Sequence, residues 1–167
     1  RTGILSRAYF IYGAPGETCD TIKESTALIE QIEPLGAVFY MLVIFPGTYL
    51  YRYALEKNYI DSHIWHERIE DIPWFKIDPK LDFKTVKEFG DTLRNTFYSG
   101  VGSFARNIKL LDKKKLYPLH SDFLSRMGMT FSHGEYSTDK RIKNADKTAG
   151  SLFERALAYS HDPRAYM

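Results

Sequence analysis

Two short apolar segments, each interrupted by glycine and proline and followed by a helical pattern, set the strongest constraint on how this chain can fold. The first covers residues 9–18 and reads YFIYGAPGET; the second covers residues 42–51 and reads LVIFPGTYLY. Apolar residues on both faces are typical of a parallel strand that is covered on both sides. Two such strands joined by a helix predict a βαβ unit whose strands run parallel.

The boundaries of this unit follow from its apolar and capping residues. Strands are predicted over residues 8–12 and 37–45, and the helix between them opens at Thr18 and ends before Pro34 and Gly36. The apolar stripe of that helix, which we expect to be buried, consists of Ile22, Leu28, Ile29, Ile32 and Leu35. Such a unit places the ends of both strands next to each other.

The rest of the chain is predicted to be mainly helical. Thr48 is a good N-cap for a short helix that ends near Asn58, and residues 61–82 are interpreted as a long ordered connection. A stripe spaced by three or four residues then covers residues 86–111 and predicts one long helix, or two with a bend at the glycines 100 and 102, ending at the lysines 113–115. Its buried members are expected to be Val86, Phe89, Leu93, Phe97, Val101, Phe104, Ile108 and Leu111.

Two more helices are predicted over residues 119–130 and 138–160, with a polar turn around residues 133–135 between them. The first should bury Leu119, Phe123, Leu124 and Met127. The second should bury Ile142, Ala145, Ala149, Leu152, Phe153 and Ala156. The chain thus divides into β/α units over residues 1–58, an ordered connection over 59–84 and a helical extension over 85–167.

Composition argues against several classes of function. The 167 residues carry a net charge of +2, too small to argue for nucleic acid or an anionic membrane as a partner. Cys19 is the only cysteine, so the chain has no internal disulfide or cysteine-based metal site, and a reducing, cytoplasmic compartment is expected. The chain begins with Arg1 rather than methionine, as a piece excised from a longer protein would.

The ends of the two strands are the candidate binding region. In parallel sheets, ligands bind beyond the carboxyl ends of the strands. Gly13 would let backbone approach a ligand closely, while Ile11 and residues 43–45 could place apolar surface against a flat ring. The alternative is that these glycines and prolines are turn residues that only end two strands.

The two strand ends also carry a family resemblance. Residues 10–18, FIYGAPGET, resemble the fifth-strand motif of radical S-adenosylmethionine (SAM) enzymes, and residues 45–51, FPGTYLY, resemble the end of their sixth strand. Residues 50–60 followed by Trp65 are similar to the next segment in the cobalamin-binding subclass, which includes anaerobic magnesium-protoporphyrin monomethyl ester cyclases and several methyltransferases. The resemblance is strong over residues 3–60. It implies an α/β fold with the last two β/α units of a partial radical SAM barrel and a helical extension.

By position, the resemblance assigns part of the adenine side of a SAM site to this chain. The apolar side chain that supports adenine corresponds to Ile11, with Gly13 after it. Glu17 stands for the family's acidic residue, one position later than in the commonest spacing. Backbone contacts to adenine correspond to Ile44, Phe45 and Pro46.

The same resemblance implies cofactors that this chain does not hold by itself. The full-length enzyme would use SAM, a [4Fe–4S] cluster and, in this subclass, cobalamin, and would cleave SAM reductively to a 5′-deoxyadenosyl radical as an oxidoreductase or methyltransferase acting on a small molecule. The cluster-binding Cys-x3-Cys-x2-Cys motif is absent, and one cysteine cannot hold such a cluster. We therefore expect an inactive fragment without catalytic or metal-ligating residues of its own.

The expected partners follow from this truncation. The fragment would belong with the missing N-terminal part of the same polypeptide, and not with nucleic acid or a membrane. Two strands cut from a barrel leave open edges, which predicts a homodimer through those edges or a rearranged edge.

A few other residues have two interpretations each. Cys19 near a helix N-terminus could be reactive, and a half-buried structural role is the preferred interpretation. His63 and His66, with Glu67 and Glu70 nearby, could hold a metal ion, but a third clear ligand is missing. The bulky rings of Trp65, Trp74 and Phe75 either line a substrate pocket or pack the connection onto the sheet.

An alternative function comes from the last part of the chain. Residues 152–163, LFERALAYSHDP, are similar to the second helix of a tetratricopeptide unit. One such unit is not an array. It nevertheless favours, as the alternative to an enzyme fragment, a self-standing helical protein-interaction module with a small βαβ base.

Overall fold

A two-stranded parallel sheet and six α-helices form the part of the chain that the computed structural model describes, residues 5–66 and 74–166. The elements are β1 (Ala8–Tyr12), α1 (Cys19–Ile32), β2 (Ala37–Met41), α2 (Tyr49–Glu56), α3 (Phe83–Arg106), α4 (Tyr117–Ser132), α5 (Glu135–Thr138) and α6 (Ala145–Tyr159). Short 3-10 turns lie at Ser62–His66, Lys114–Leu116 and Pro163–Tyr166. The α/β class is confirmed, while a partial barrel remains a prediction because the described sheet has only two strands.

The sheet has the predicted parallel arrangement. Ala8 of β1 pairs with Ala37 of β2, and the register continues to Tyr12 opposite Met41. The first strand has the predicted bounds, whereas the second ends at Met41 instead of continuing to Phe45. One more backbone bond extends the pairing, since Leu42 N–H donates to the Tyr12 carbonyl at 2.7 Å.

The two faces of this sheet differ, and the expectation that both are covered is wrong. On the inner face, Phe10 stacks on Phe39 with ring centroids 5.4 Å apart, and Phe39 packs against Phe97 of α3. On the outer face, Tyr9, Ile11 and Tyr40 are exposed. Side chains alternate between faces along a strand, and no helix of the described part covers this outer set.

Helix α1 begins and ends where its capping residues predict. Thr18 is the N-cap and accepts a hydrogen bond from Thr21 N–H, while Glu33 ends the helix in the left-handed conformation at φ 44°. Only part of the predicted stripe is buried: Ile22 and Ile29 are, whereas Leu28 and Ile32 are exposed. Helix α1 packs against α3, and this contact does not cover the whole apolar stripe.

Helix α3 is a single continuous helix and the centre of the fold. Asp82 caps its start by accepting from Thr85 N–H, and it contacts β1, β2, α1 and α6. Six of the predicted stripe residues are buried: Val86, Phe89, Leu93, Phe97, Val101 and Phe104. A single 24-residue helix therefore replaces the alternative of two helices bent at the glycines.

The end of α3 differs from the prediction. The helix stops at Arg106, so Ile108 and the exposed Leu111 lie beyond it, and residues 113–115 are not its C-terminus. Arg155 of α6 donates hydrogen bonds to the carbonyls of Arg106 and Ile108, at 2.9 and 2.6 Å. This contact from a distant helix holds the chain in a non-helical path that the apolar spacing does not reveal.

Helices α4 and α6 form the most extensive helix pair of the described chain. Gly128 of α4 allows close approach, because a Cβ there would lie 2.5 Å from the Phe153 ring. Leu119 is exposed, which contradicts its predicted burial, whereas Phe123, Leu124 and Met127 are buried as predicted. Helix α6 begins at Ala145 rather than at 138, since α5 and a turn stand before it; Ile142 is buried in that turn and Ala145 only half-buried.

The buried side chains form one large and one small cluster. The large cluster joins β1, α1, α3, α4, α6 and the last 3-10 turn. The small cluster contains Ile44, Tyr51, Ala54 and Ile77 and supports α2 beside the chain that follows β2. Among the described residues, no helix combines the length and apolar character needed to cross a bilayer.

Candidate functional site

The carboxyl ends of β1 and β2 lie side by side, as the βαβ pattern predicts. Tyr12 and Met41 are register partners at the last position of each strand, and the Leu42–Tyr12 backbone bond joins the two exits. The segments that follow, residues 13–17 and 43–46, carry the remaining candidate residues. They therefore come to one edge of the sheet, where ligands of parallel sheets bind.

Ile11 lies on the open face of the sheet just before this edge. Its side chain is 62% exposed, and its register partner Tyr40 is 56% exposed. Tyr9 stacks on Tyr40 with ring centroids 6.5 Å apart on the same face. An apolar, partly aromatic surface of this kind can hold a flat uncharged ring.

Gly13 has a packing reason that the sequence alone does not give. The residue is buried with φ +87°, and a Cβ built on it would lie 2.8 Å from a methyl group of Val86 in α3. The space beside the Cα of Gly13, where a side chain would stand, is therefore occupied by α3 rather than by solvent. Its predicted contribution to adenine binding would have to come from the backbone and remains a prediction.

Glu17 closes the turn after β1. Its Oε2 accepts a hydrogen bond from Gly13 N–H at 2.5 Å, and the side chain is half-buried. The carboxylate thus links both ends of the glycine–proline break directly before the N-cap Thr18. In this arrangement Glu17 shapes the loop from which a ligand contact would come.

Asp78 also holds this turn, and sequence analysis did not single it out. Gly16 N–H donates to Asp78 Oδ2 at 2.8 Å, across 62 residues of sequence. The backbone N–H groups of Gly16 and then Lys80 keep the pKa of Asp78 below its ordinary value, because they bind the charged form. An Asp-Pro pair is typical of a turn, but nothing in the neighbouring sequence indicates that the Asp78 carboxylate binds the distant loop at Gly16.

The segment after β2 presents its three candidate residues differently. Ile44 is only 3% exposed and belongs to the small cluster with Tyr51 and Ala54. Phe45 is 47% exposed, and its carbonyl accepts from the Thr48 hydroxyl at 2.8 Å, while Pro46 is exposed. Ile44 is therefore almost closed to solvent as a whole residue, and its predicted backbone contact to adenine stays a prediction.

Two residues of this segment have backbone groups that are not paired with other described residues. Among the described residues, neither Val43 nor Ile44 makes a hydrogen bond with its backbone N–H or carbonyl. Backbone donors and acceptors are the groups that can recognise the edge of a planar heterocycle without adding charge. The arrangement therefore offers an apolar face at Ile11 and, at the half-buried Val43, backbone groups without a hydrogen-bond partner.

An aromatic cluster borders the same segment. Trp65 stacks with Phe45 at 6.4 Å between ring centroids and contacts Tyr51 and Phe75. The indole Nε1–H of Trp65 is buried and has no hydrogen-bond partner among the described residues. Trp74 packs separately, against Phe83 at the start of α3. In the described parts of the connection, Trp65 and Phe75 thus pack beside α2 and the segment after β2, whereas Trp74 packs on α3, so packing is the role that the structure gives these rings.

The remaining sequence candidates lie away from this edge or outside what can be described. Cys19 is exposed at the first position of α1, so the expectation of a half-buried structural cysteine is wrong. Glu67 and Glu70 lie outside the described residues, and the proposed metal group with His63 and His66 therefore stays a prediction. Over residues 5–66 and 74–166, no three His, Cys, Asp or Glu side chains are grouped to hold a metal ion.

Comparison of the chain with protein-family models, with curated proteins and with solved structures finds no match.

Proposed function

We propose that this chain is the carboxyl-terminal portion of a radical SAM enzyme of the cobalamin-binding subclass, and that it supplies part of the adenine-side wall of the SAM site. The observation that carries the proposal is the open outer face of the parallel pair at Ile11, next to the adjacent strand exits. A face of this kind is apolar, uncharged and located where parallel sheets bind ligands.

The open strand edges support the same proposal. The described sheet consists of β1 and β2 alone, so each strand has one edge without a backbone partner. Proteins usually pair or cover such edges, because unpaired N–H and C=O groups invite association. Further strands of a (β/α) barrel, supplied by a preceding part of the polypeptide, would pair with these edges.

Each candidate residue then has a defined role. The side chain of Ile11 would contact the adenine ring, and the backbone at Ile44 and Phe45 would read the ring edge. Glu17 would hold the loop through its bond to Gly13 N–H. Pro46, which has no N–H, would end the segment and direct the chain into α2.

The iron–sulfur cluster does not fit this chain. A [4Fe–4S] cluster needs several thiolates, and the sequence has one cysteine, which is exposed at the start of α1. The reductive cleavage of SAM to methionine and a 5′-deoxyadenosyl radical would therefore depend on groups outside these residues. By itself the chain would hold none of these cofactors.

The test uses the complete polypeptide from the native reading frame, purified without oxygen and reconstituted with iron and sulfide. We expect iron–sulfur absorbance and formation of 5′-deoxyadenosine from SAM. Replacing Ile11→Asp should raise the KM for SAM about tenfold, because a charge would be placed against an uncharged ring. The matched control Ile32→Asp, which changes another exposed isoleucine at the end of α1, should leave it unchanged.

Two results would contradict the proposal. One is a reconstituted polypeptide without iron–sulfur absorbance and without SAM cleavage. The other is an equal effect of both isoleucine changes on the KM for SAM, which would remove Ile11 from the adenine wall.

The second candidate function is a self-standing helical protein-interaction module with a small βαβ base. The observation that favours it is the extensive packing of α4 on α6, with Gly128 against Phe153. The coding sequence separates the two candidates. A Cys-x3-Cys-x2-Cys motif upstream in the same frame supports the enzyme portion, and a native start codon at Arg1 supports the module.

A further inference from the structure

A second concave region lies at the other end of the sheet, away from the candidate SAM site. A cavity of about 910 Å³ opens between the start of β1, the end of α1 and the segment that follows α3. This volume lies within the range of pockets that enclose a small organic molecule.

The walls of this cavity carry an excess of positive charge. Arg7 and Lys109 line it, together with a single carboxylate, Glu33. Within the described residues, neither cation has a hydrogen bond or an ion pair. Glu33 differs, since its Oε1 accepts from Asn107 Nδ2 at 3.3 Å. Two exposed cations at the mouth of the cavity outnumber its one carboxylate, which favours an anionic group there.

The other part of the wall is apolar. The rings of Phe104 and Phe123 line the cavity and are otherwise buried in the main core. Leu35, Ile108 and Leu110 complete this surface. The combination of an apolar wall and a few convergent charges is typical of sites that bind amphipathic small molecules.

Long-range contacts hold these walls in place. Arg155 fixes the carbonyls of Arg106 and Ile108, and the Tyr136 hydroxyl donates to the Leu35 carbonyl at 2.8 Å. Ala8 N–H donates to the Gly36 carbonyl at 2.9 Å. Because the wall is already formed, binding a ligand costs less conformational entropy of the protein.

We propose that this cavity binds an organic monoanion with an apolar ring or chain, whose anionic group pairs with Arg7 and Lys109 while its body lies against Phe104 and Phe123. Glu33 disfavours a second anionic group, because like charges repel in a partly dry site. The proposal does not depend on the radical SAM assignment, since the two sites lie at opposite ends of the strands.

The test compares two fluorescent probes with the same ring system. One is 8-anilinonaphthalene-1-sulfonate, an aromatic monoanion, and the other is N-phenyl-1-naphthylamine, its neutral counterpart. With the folded 167-residue chain, the sulfonate should bind one molecule per chain and at least about tenfold more tightly than the amine, because only the sulfonate forms charge-assisted bonds.

Variants locate the binding. The double change Arg7→Gln and Lys109→Gln should weaken sulfonate binding about tenfold and leave amine binding unchanged. The matched double change Arg52→Gln and Lys57→Gln, at exposed positions of α2 and its C-cap, should alter neither. Circular dichroism and thermal unfolding verify that every variant is folded before binding is measured.

Three results would overturn the proposal. They are equal affinity for both probes, an equal loss in the two double variants, and binding of several sulfonate molecules per chain with no dependence on Arg7 and Lys109.

Discussion

The sheet unit, residues 8–56, and the helical layer, residues 83–166, use their apolar residues in opposite ways. In the helical layer, stripes such as Phe97, Leu124 and Leu152 are fully buried. In the sheet unit, the outer face with Ile11 and Tyr40 is left open. The difference teaches that the apolar stripes of the helical layer are buried within the described fold, partly against the inner face of the sheet, whereas the outer face of the sheet stays open and suits a ligand or a further protein segment.

The largest expected difference between the two regions is in stability. Phe97→Ala should lower the free energy of unfolding by about 3–5 kcal/mol, because Phe97 contacts Phe39, Tyr98 and Tyr136 in the buried core. Ile11→Ala should change it by no more than about 0.5 kcal/mol, because its side chain is exposed. Urea unfolding measures both. If Phe97→Ala and Ile11→Ala lower the free energy of unfolding equally, the contrast between a buried helical layer and an open sheet face is wrong.

The boundary between the regions depends on a close contact at Gly90 of α3. A Cβ there would lie 2.3 Å from the Tyr12 ring, whose hydroxyl accepts from Arg94 at 3.0 Å. Gly90→Ala should therefore destabilise the protein by about 1–3 kcal/mol.

The matched control lies in another helix interior. Gly150 of α6 is exposed, and a Cβ there would meet nothing within 4 Å, so Gly150→Ala should stabilise by about 0.5–1 kcal/mol. If Gly90→Ala lowers and Gly150→Ala raises the free energy of unfolding, measured by heat or urea, the close contact of α3 with the sheet is supported. A stabilising Gly90→Ala would contradict it.

The end of the helical layer is held by ion pairs that depend on pH. Arg164 binds Asp162 and Asp122, and it keeps the pKa of both carboxyl groups below the ordinary value through hydrogen bonds to their charged forms. A lowered folded pKa contributes stability above the unfolded pKa, and this contribution is lost as the pH falls through the folded pKa.

We therefore expect Arg164→Gln to cost stability at pH 7, by less than Gly90→Ala, and to cost progressively less below about pH 4. Arg52→Gln on α2 is the control and should show no such pH dependence. Urea unfolding at a series of pH values measures both. An Arg164→Gln effect that is constant down to acid pH would remove the ion pairs as its cause.

Changes at the open edges of the sheet are expected to have the smallest effect on folding. They should instead affect the association of the chain with a second copy. We predict that the chain forms a homodimer through β1 or β2 and that Ile11→Lys with Tyr40→Lys weakens it, because edge lysines oppose strand pairing. Light scattering at several concentrations measures the mass. A monomer at every concentration would contradict the dimer, and Leu119→Lys on α4 is the matched exposed control.

Sequence patterns alone predicted much of the fold. Thr18 and Thr48 cap helices as expected, the strands are parallel, and the stripe from Val86 to Phe104 is buried along one helix. These features depend on local spacing and on hydrogen bonds between near neighbours. For the candidate site, the sequence also predicted that the two glycine–proline breaks come to one edge of the sheet.

Only the tertiary structure decided how those residues are presented. Val86 fills the space beside Gly13, and Asp78 fixes Gly16 from a distant loop. Ile11 is open while Ile44 is buried, although both belong to similar apolar segments. Contacts of this kind join residues far apart in the chain, and local periodicity carries no information about which distant surface covers a given face.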